Sequence, residues 1–127
     1  MAQKVLIVDD EIHITQLIEQ ALEDLEDDGV ELLTASDGQQ ALELIREEQP
    51  ELVYLDIMMP KMNGFDVCRT VKMEWRLEGM TIVMLTAKGQ EADRQKGEAV
   101  GADFYMTKPF DPDMLYEHAL RVLGLES

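Results

Sequence analysis

The stretch from residue 52 to 64, LVYLDIMMPKMNG, limits the fold of this chain more than any other. Its first four residues are apolar in succession, which is typical of a short strand buried on both faces. Such strands belong to the interior of parallel sheets that carry helices on both sides. Asp56 stands where the strand ends, and a turn containing proline, asparagine and glycine follows. Ligands of open α/β sheets collect beyond the carboxyl ends of the strands, so Asp56 is a candidate functional residue.

Further apolar strands are predicted at 4–8, 30–35, 81–85 and 103–106, and each interval between strands has helical spacing of apolar residues. The first helix is predicted to turn a set of apolar side chains inward: Ile14, Leu17, Ile18, Ala21, Leu22 and Leu25. The last helix, 112–123, is predicted to do the same with Met114, Leu115, Ala119, Val122 and Leu123. The helix at about 90–99 has few apolar residues, mainly Ala92, Ala99 and Val100 beyond its end. Helices between successive strands imply a doubly wound α/β sandwich with a parallel five-stranded sheet and right-handed crossovers.

Length and charge bound the functions that the chain can have. Its 127 residues suit one domain, and its 46 % apolar content excludes general disorder. The formal net charge of −16 argues against binding nucleic acid or an anionic membrane. We find no signal peptide and no apolar run of membrane-spanning length, and the single cysteine fits a reducing compartment. We therefore expect a soluble cytoplasmic protein.

Four of the predicted strands end in polar residues: Asp9 and Asp10, Asp56, Thr86 and Lys108. In a parallel sheet these ends share one edge. Neighbouring carboxylates repel, and a hard divalent cation such as Mg²⁺ relieves that repulsion. One carboxylate is then available as a nucleophile that accepts a phosphoryl group, with the ammonium and hydroxyl groups as donors to its oxygens. Asp9 or Asp10 taken alone is better explained as a helix cap, so the hypothesis depends on the conjunction of all these strand ends.

The motifs around these positions resemble those of response-regulator receiver domains, the family of the bacterial chemotaxis regulator. The resemblance covers nearly the whole chain, 1–127, as a single receiver domain. It rests on six motifs in order: VDDE at 8–11, SDG at 36–38, LDIMMPKMNG at 55–64, LTA at 85–87, GAD at 101–103 and KPF at 108–110. The resemblance implies a flavodoxin-like sheet with strand order 2-1-3-4-5.

The resemblance also assigns the phosphorylation and metal sites. It implies that Asp56 is phosphorylated and that Asp10 and Asp56 bind Mg²⁺ directly, with Mn²⁺ as a substitute. Asp9 would act mainly through a metal-bound water, and the backbone carbonyl of Met58 would be a further ligand.

Phosphoryl binding and switching are implied for residues on the last two strands. Thr86, the Ala87 amide and Lys108 would bind the phosphoryl group, and Lys108–Pro109 would be a cis peptide. Thr86 would move toward the phosphoryl group, and Tyr105 would turn into the vacated space. From the residues alone, the preferred interpretation of Tyr105 is a half-buried aromatic on an edge strand that never moves.

Other positions receive narrower predictions. Met58 and Lys88 lie where the resemblance implies tuning of dephosphorylation, and neither side chain orients water as an acid or amide would. We therefore expect slow loss of the phosphoryl group. Cys68 is expected to be an inert core thiol, and His13 and His118 are expected on the surface.

The predicted function is a two-component response regulator that accepts a phosphoryl group on Asp56 and switches its partner-binding surface. Its partners would be a histidine kinase or phosphotransfer protein, and a downstream effector or fused output domain. A phosphorylation-linked homodimer is left open. The alternative is an interaction module of the same fold that ignores phosphorylation. An enzyme that forms a transient aspartyl phosphate would need a cap insertion, which this sequence lacks. A flavin-binding domain is disfavoured because the acidic residues 9–11 would repel a nucleotide phosphate.

Overall fold

The computed structural model describes residues 2–59, 61–87 and 91–126, with the side chains of 87 and 91–94 left aside. Strands and helices alternate along this chain, as the following bounds show. The elements are β1 (Lys4–Val8), α1 (Ile12–Ala21), β2 (Glu31–Ala35), α2 (Gly38–Glu48), β3 (Leu52–Asp56), α3 (Gly64–Arg69), β4 (Thr81–Ala87), α4 (Glu91–Ala99), β5 (Phe104–Lys108) and α5 (Pro112–Leu123). Across these described ranges, no helix combines the length and apolar content that crossing a bilayer requires.

The strands form one five-stranded sheet of order β2-β1-β3-β4-β5, and every neighbouring pair is parallel. This is the predicted doubly wound fold, and the strand order is confirmed. Because the order reverses between β1 and β3, the carboxyl ends of these two strands lie side by side where helices depart to opposite faces. Asp9 follows β1 and Asp56 ends β3, so both carboxyl groups reach this point.

Successive residues of the central strands face opposite cores, which gives three layers. In β1, Val5 and Ile7 pack with α1 and α5, whereas Leu6 and Val8 pack with α2 and α3. All five residues of β3 are buried, so this strand is covered on both faces as its apolar run predicted.

Two helices end differently from the prediction. The first was expected to continue to Leu25, but α1 ends at Ala21 and a 3-10 turn spans Glu23–Asp28. Negative charges near a helix C-terminus oppose the helix dipole, and this acidic turn stands there. Leu25 is nonetheless fully buried, because its amide bonds to the Leu22 carbonyl in the tighter turn.

The helix after Gly64 widens into a π-helical stretch over Thr70–Glu74. The Thr70 hydroxyl donates to the Asp66 carbonyl at 2.9 Å, and the same oxygen accepts from the Thr70 amide. The Trp75 amide instead bonds to the Thr70 carbonyl, five residues back. Trp75 ends this stretch under the Arg46 guanidinium, 4.7 Å from the ring centre.

Three side-chain placements correct the predictions. Leu17 and Met114 were expected to face inward, but their exposed fractions are 42 % and 64 %. His118 was expected on the surface, yet its ring nitrogens are shielded and its ring meets Phe104 edge to face, with centres 4.7 Å apart. Burial, and to a smaller degree the Arg121 charge, lowers the pKa of His118. Helical period places a residue on a face but does not tell how far the neighbouring helix covers it.

Candidate phosphoacceptor and metal site

The carboxylates of Asp9, Asp10 and Asp56 lie together at the carboxyl edge of the sheet. One oxygen of each falls within 4.8 Å of the others. Asp9 and Asp56 are buried, at 2 % and 5 % exposure, whereas Asp10 is exposed. Such a set of oxygen ligands, open to solvent on one side, suits a hard divalent cation.

Lys108 reaches this cluster from β5, the edge strand beyond β4. Its ammonium nitrogen donates to Asp9 Oδ2 at 2.7 Å and to Asp56 Oδ1 at 3.1 Å. Because β4 lies between β5 and β3, the Lys108 and Asp56 backbones are about 10 Å apart, two strand spacings, and their two side chains bridge this distance together. A long, flexible side chain is needed for that span, and the Lys108 ammonium offsets two buried negative charges.

Both oxygens of Asp9 accept hydrogen bonds. Oδ2 accepts from Lys108, and Oδ1 accepts from the Glu11 amide at 2.9 Å. The latter bond ties the carboxylate to the start of α1. A cation held chiefly by Asp10 and Asp56 would therefore leave these bonds intact, which favours an indirect role for Asp9.

The pKa of Asp56 is raised from 3.8 to about 6. Burial is the largest cause, and the nearby Asp9 charge adds to it. Lys108 acts in the opposite direction but does not cancel them. For Lys108 itself, burial would lower the pKa, yet the Asp9 hydrogen bond and the Asp56 and Asp9 charges hold it above its ordinary value. The metal-free site therefore has excess negative charge.

We expect Asp56→Asn to stabilise the metal-free protein at neutral pH by about 1 kcal/mol, a figure reduced for solvent screening. An aspartate whose folded pKa exceeds its unfolded value adds stability below about pH 4. That contribution is lost as pH rises through about 6. The advantage of the variant should therefore be largest above pH 6 and absent near pH 4. Urea unfolding in EDTA across this range measures it.

The matched control is Asp66→Asn, which changes a partly exposed carboxylate on α3 that pairs with Arg69. This control should change stability little. An Asp56→Asn advantage that did not vary with pH would contradict the charge argument. Added Mg²⁺ should stabilise the wild type more than the Asp56→Asn variant.

The remaining site predictions fall on β4, β5 and the loop after β3. Thr86 is buried at 8 % exposure at the end of β4, beside Thr107 in register. The Met58 side chain is 77 % exposed at the cluster's edge of the sheet. Lys88 lies outside the described residues. The Lys108–Pro109 peptide is cis, as expected.

Tyr105 lies on the same sheet face as Thr86. It pairs with Met84, two residues before Thr86, and side chains two apart share a face. The ring is half-buried, its hydroxyl is shielded from solvent, and it packs against the core between the sheet and α2, α3 and α4.

Sequence reasoning missed two glycines that shape this region. A Cβ on Gly64, the first residue of α3, would lie 2.5 Å from the Asp56 carbonyl oxygen. A Cβ on Gly97, in α4, would lie 2.4 Å from the Tyr105 hydroxyl oxygen. The NG pair at 63–64 signalled a turn, but nothing near Gly97 in the sequence signals its contact.

Comparison with known proteins places the chain in a family. The response regulator receiver domain model matches residues 5–120. The chain is 43 % identical over 121 residues to a probable transcriptional regulator, ycf27, of Porphyra purpurea, covering 95 % of this chain and 47 % of that protein. It is 44 % identical over 112 residues to the alkaline phosphatase synthesis transcriptional regulatory protein PhoP of Bacillus subtilis, covering 88 % and 45 %. The chain thus spans about half the length of these curated relatives.

Solved structures agree in fold over the full chain. The chemotaxis response regulator CheY4 of Vibrio cholerae superposes with a TM-score of 0.82 at 36 % identity, covering 96 % of this chain and 99 % of that one. The receiver domain of DrrB, activated with BeF3, gives a TM-score of 0.84 at 32 % identity, covering 98 % and 99 %. The motif resemblance is therefore confirmed, and this chain belongs to the response regulator receiver domain family.

Proposed function

We propose that residues 1–127 act as one phosphoacceptor unit, in which Asp56 receives a phosphoryl group from a phosphohistidine of a histidine kinase or phosphotransfer protein. The observation that carries this proposal is the cluster itself. Three carboxylates lie within 4.8 Å of one another, and an ammonium group lies 3.1 Å from Asp56. Phosphorylation-dependent signalling fits the family, and nothing in the comparisons supports the phosphorylation-independent alternative.

Asp56 supplies the nucleophile. Lys108 contacts Oδ1, so attack on phosphorus is assigned to Oδ2. The bond from phosphorus to the donor imidazole nitrogen breaks as the bond to Oδ2 forms, and the donor protein is left with an unmodified histidine side chain. The hydrogen bond from Lys108 to Oδ1 also orients the Asp56 carboxylate. Water later cleaves the acyl phosphate and restores the carboxylate. The chain thus accelerates only its own phosphorylation and dephosphorylation.

The site fits a resident Mg²⁺, because it offers carboxylate ligands, is open to solvent at Asp10 and has more negative than positive charge. Asp10 and Asp56 would hold the ion directly, Asp9 through water, and Met58 through its carbonyl, with Mn²⁺ as a substitute. When bound, the ion neutralises charge on the phosphoryl oxygens. Lys108, the Thr86 hydroxyl and the Ala87 amide donate to the same oxygens.

Signalling follows from Thr86 and Tyr105. Both side chains are on the sheet face toward α4, so a shift of Thr86 toward the phosphoryl group changes the space beside the Tyr105 ring. The surface formed by α4, β5 and α5 exists in two conformations, and phosphorylation changes their relative populations.

Incubation with acetyl phosphate and Mg²⁺ tests the acceptor directly. The intact protein should gain the mass of one phosphoryl group, and Asp56→Ala should gain none. EDTA should abolish the gain in the wild type. No mass gain, or an equal gain in Asp56→Ala, would refute the assignment. Phosphate transfer from a purified histidine kinase would extend the test to the natural class of donor.

The partner proposals rest on the relatives. These are named as transcriptional regulators and are about twice as long, so a further output domain or a separate effector protein would read the switch. The net charge of −16 leaves nucleic-acid binding to such a partner. Self-association of the phosphorylated form and a cytoplasmic location remain predictions from the sequence.

Met58→Asn is expected to shorten the lifetime of the phosphorylated form several-fold. The methionine side chain is 77 % exposed beside the site and has no group to hold the attacking water, whereas an amide does. Decay of the phosphorylated protein after removal of acetyl phosphate, with Mg²⁺ present, measures it. Met73→Asn, exposed on the π-helical stretch beyond α3, is the matched control and should decay like the wild type. A wild-type lifetime of seconds would refute slow self-dephosphorylation.

A further inference from the structure

Gly97 is buried within α4, in a position where most helices carry a side chain. Glycine is among the least favourable residues inside a helix, so its presence calls for a local reason. The reason is the Tyr105 ring. A Cβ on Gly97 would lie 2.4 Å from the tyrosine oxygen, 2.6 Å from Cε1 and 2.9 Å from Cζ. The ring therefore occupies the volume that an alanine methyl group would need.

The Tyr105 ring in its present position leaves no room for a methyl group at position 97. Three of its atoms are in the way, and two of them belong to the rigid ring rather than to a flexible end. Tyr105 packs against the same core as Val100, just beyond α4, and Met84 of the neighbouring strand. A methyl group at position 97 must therefore drive the ring away from α4 or push the helix outward.

We propose that Gly97 is a positioning residue of the switch: its missing side chain forms the seat that holds the Tyr105 ring against α4. This rests on the proposed function in one respect, namely that the inward ring belongs to the phosphorylated state. The seat then sets how readily phosphorylation at Asp56 is transmitted to the α4 surface. Gly97 has no side chain that could reach a phosphoryl group or a metal, so in this proposal it acts through the ring.

A stability cycle tests the seat without reference to phosphorylation. Gly97→Ala should lower the melting temperature of the wild type, because the ring and the methyl group collide. In a Tyr105→Ala background the same substitution should raise the melting temperature, because the only remaining effect is the higher helix propensity of alanine over glycine. Glu98→Ala and Glu98→Gly, at the exposed neighbouring position, measure that preference in α4. Equal effects of Gly97→Ala in both backgrounds would overturn the proposal.

A second measurement tests the link to the switch. Beryllofluoride with Mg²⁺ is used as the phosphoryl analogue, and 3-fluorotyrosine reports on Tyr105, its ¹⁹F signal assigned with Tyr105→Phe. In Gly97→Ala the signal should move toward that of solvent-exposed tyrosine, and beryllofluoride affinity should fall several-fold. The conservative Gly97→Ser, with its equal demand for a Cβ, should behave like Gly97→Ala.

The two measurements separate the possible failures. A wild type that binds no beryllofluoride would overturn the proposed function, while the stability cycle would still decide on the seat. A sign reversal in the cycle together with wild-type beryllofluoride affinity in Gly97→Ala would overturn the link to phosphorylation. A sign reversal together with weaker binding and an outward ring supports the whole proposal.

Discussion

Lys108→Met should destabilise the metal-free protein at neutral pH by about 3 kcal/mol, which is the range for removing one partner of a buried ion pair. The lysine ammonium lies 2.7 Å from Asp9 and 3.1 Å from Asp56, and the Asp9 side chain is fully shielded from solvent. Methionine keeps most of the length and apolar contact but removes the charge. Urea unfolding in EDTA measures the loss.

Two conditions should reverse this loss if it comes from uncompensated negative charge. Mg²⁺ should restore most of the stability, since the ion replaces the ammonium as counter-charge. Lowering the pH to about 6 should also shrink the difference, since loss of the Lys108 ammonium raises the pKa of Asp56 further and its carboxyl in the variant takes up a proton before that of the wild type does. A loss that persisted under both conditions would point to packing instead.

Lys4→Met is the control for removing a lysine that pairs at the surface. Its ammonium lies 2.6 Å from Glu48, but both side chains are partly exposed. Solvent screens such a pair, so the change in stability should be small and insensitive to Mg²⁺. A large effect of Lys4→Met would show that net charge, rather than the buried site, governs the stability of this acidic chain.

Gly64→Ala should cost about 2–3 kcal/mol and also weaken Mg²⁺ binding, because overpacking here displaces backbone. The added Cβ would lie 2.5 Å from the Asp56 carbonyl oxygen and 3.0 Å from Ile57 Cα. Neither is the flexible end of a side chain. The Gly64 amide also bonds to the Ile57 carbonyl at 2.9 Å, so α3 begins directly against the end of β3. Chemical unfolding and a calorimetric Mg²⁺ titration measure both effects.

Gly29→Ala separates this steric effect from backbone strain. Gly29 has φ of 83° and open space around the position of a Cβ. Its substitution should cost about 1 kcal/mol through strain alone and leave Mg²⁺ affinity unchanged. If Gly64→Ala bound Mg²⁺ as tightly as the wild type, α3 would be free to move without disturbing Asp56.

The sheet and most of the site were predictable because their signals are local. Each strand is an apolar run, and the polar residue at its end is the next residue along the chain, as with Val8 and Asp9. Parallel pairing then brings those ends to one edge without further information. The sequence alone therefore predicts that the carboxylates of the site and Lys108 lie together.

What could not be predicted depends on contacts between distant elements. The contact of Gly97 cannot be predicted without knowing that the Tyr105 ring packs against α4. The exposure of Leu17 and Met114 depends on how closely α1 and α5 approach each other. The π-helical stretch at Thr70–Glu74 depends on backbone bonds such as that from the Trp75 amide to the Thr70 carbonyl, which the spacing of apolar residues does not encode. Periodicity describes one element at a time, so it does not contain these effects.

Lys108 ends the last strand, whereas Asp9 and Asp10 follow the first strand and Asp56 ends the third. Synthesis proceeds from the N-terminus, so the acidic residues leave the ribosome well before the lysine does. A nascent chain that has paired β1 with β3 must hold this negative charge without its ammonium.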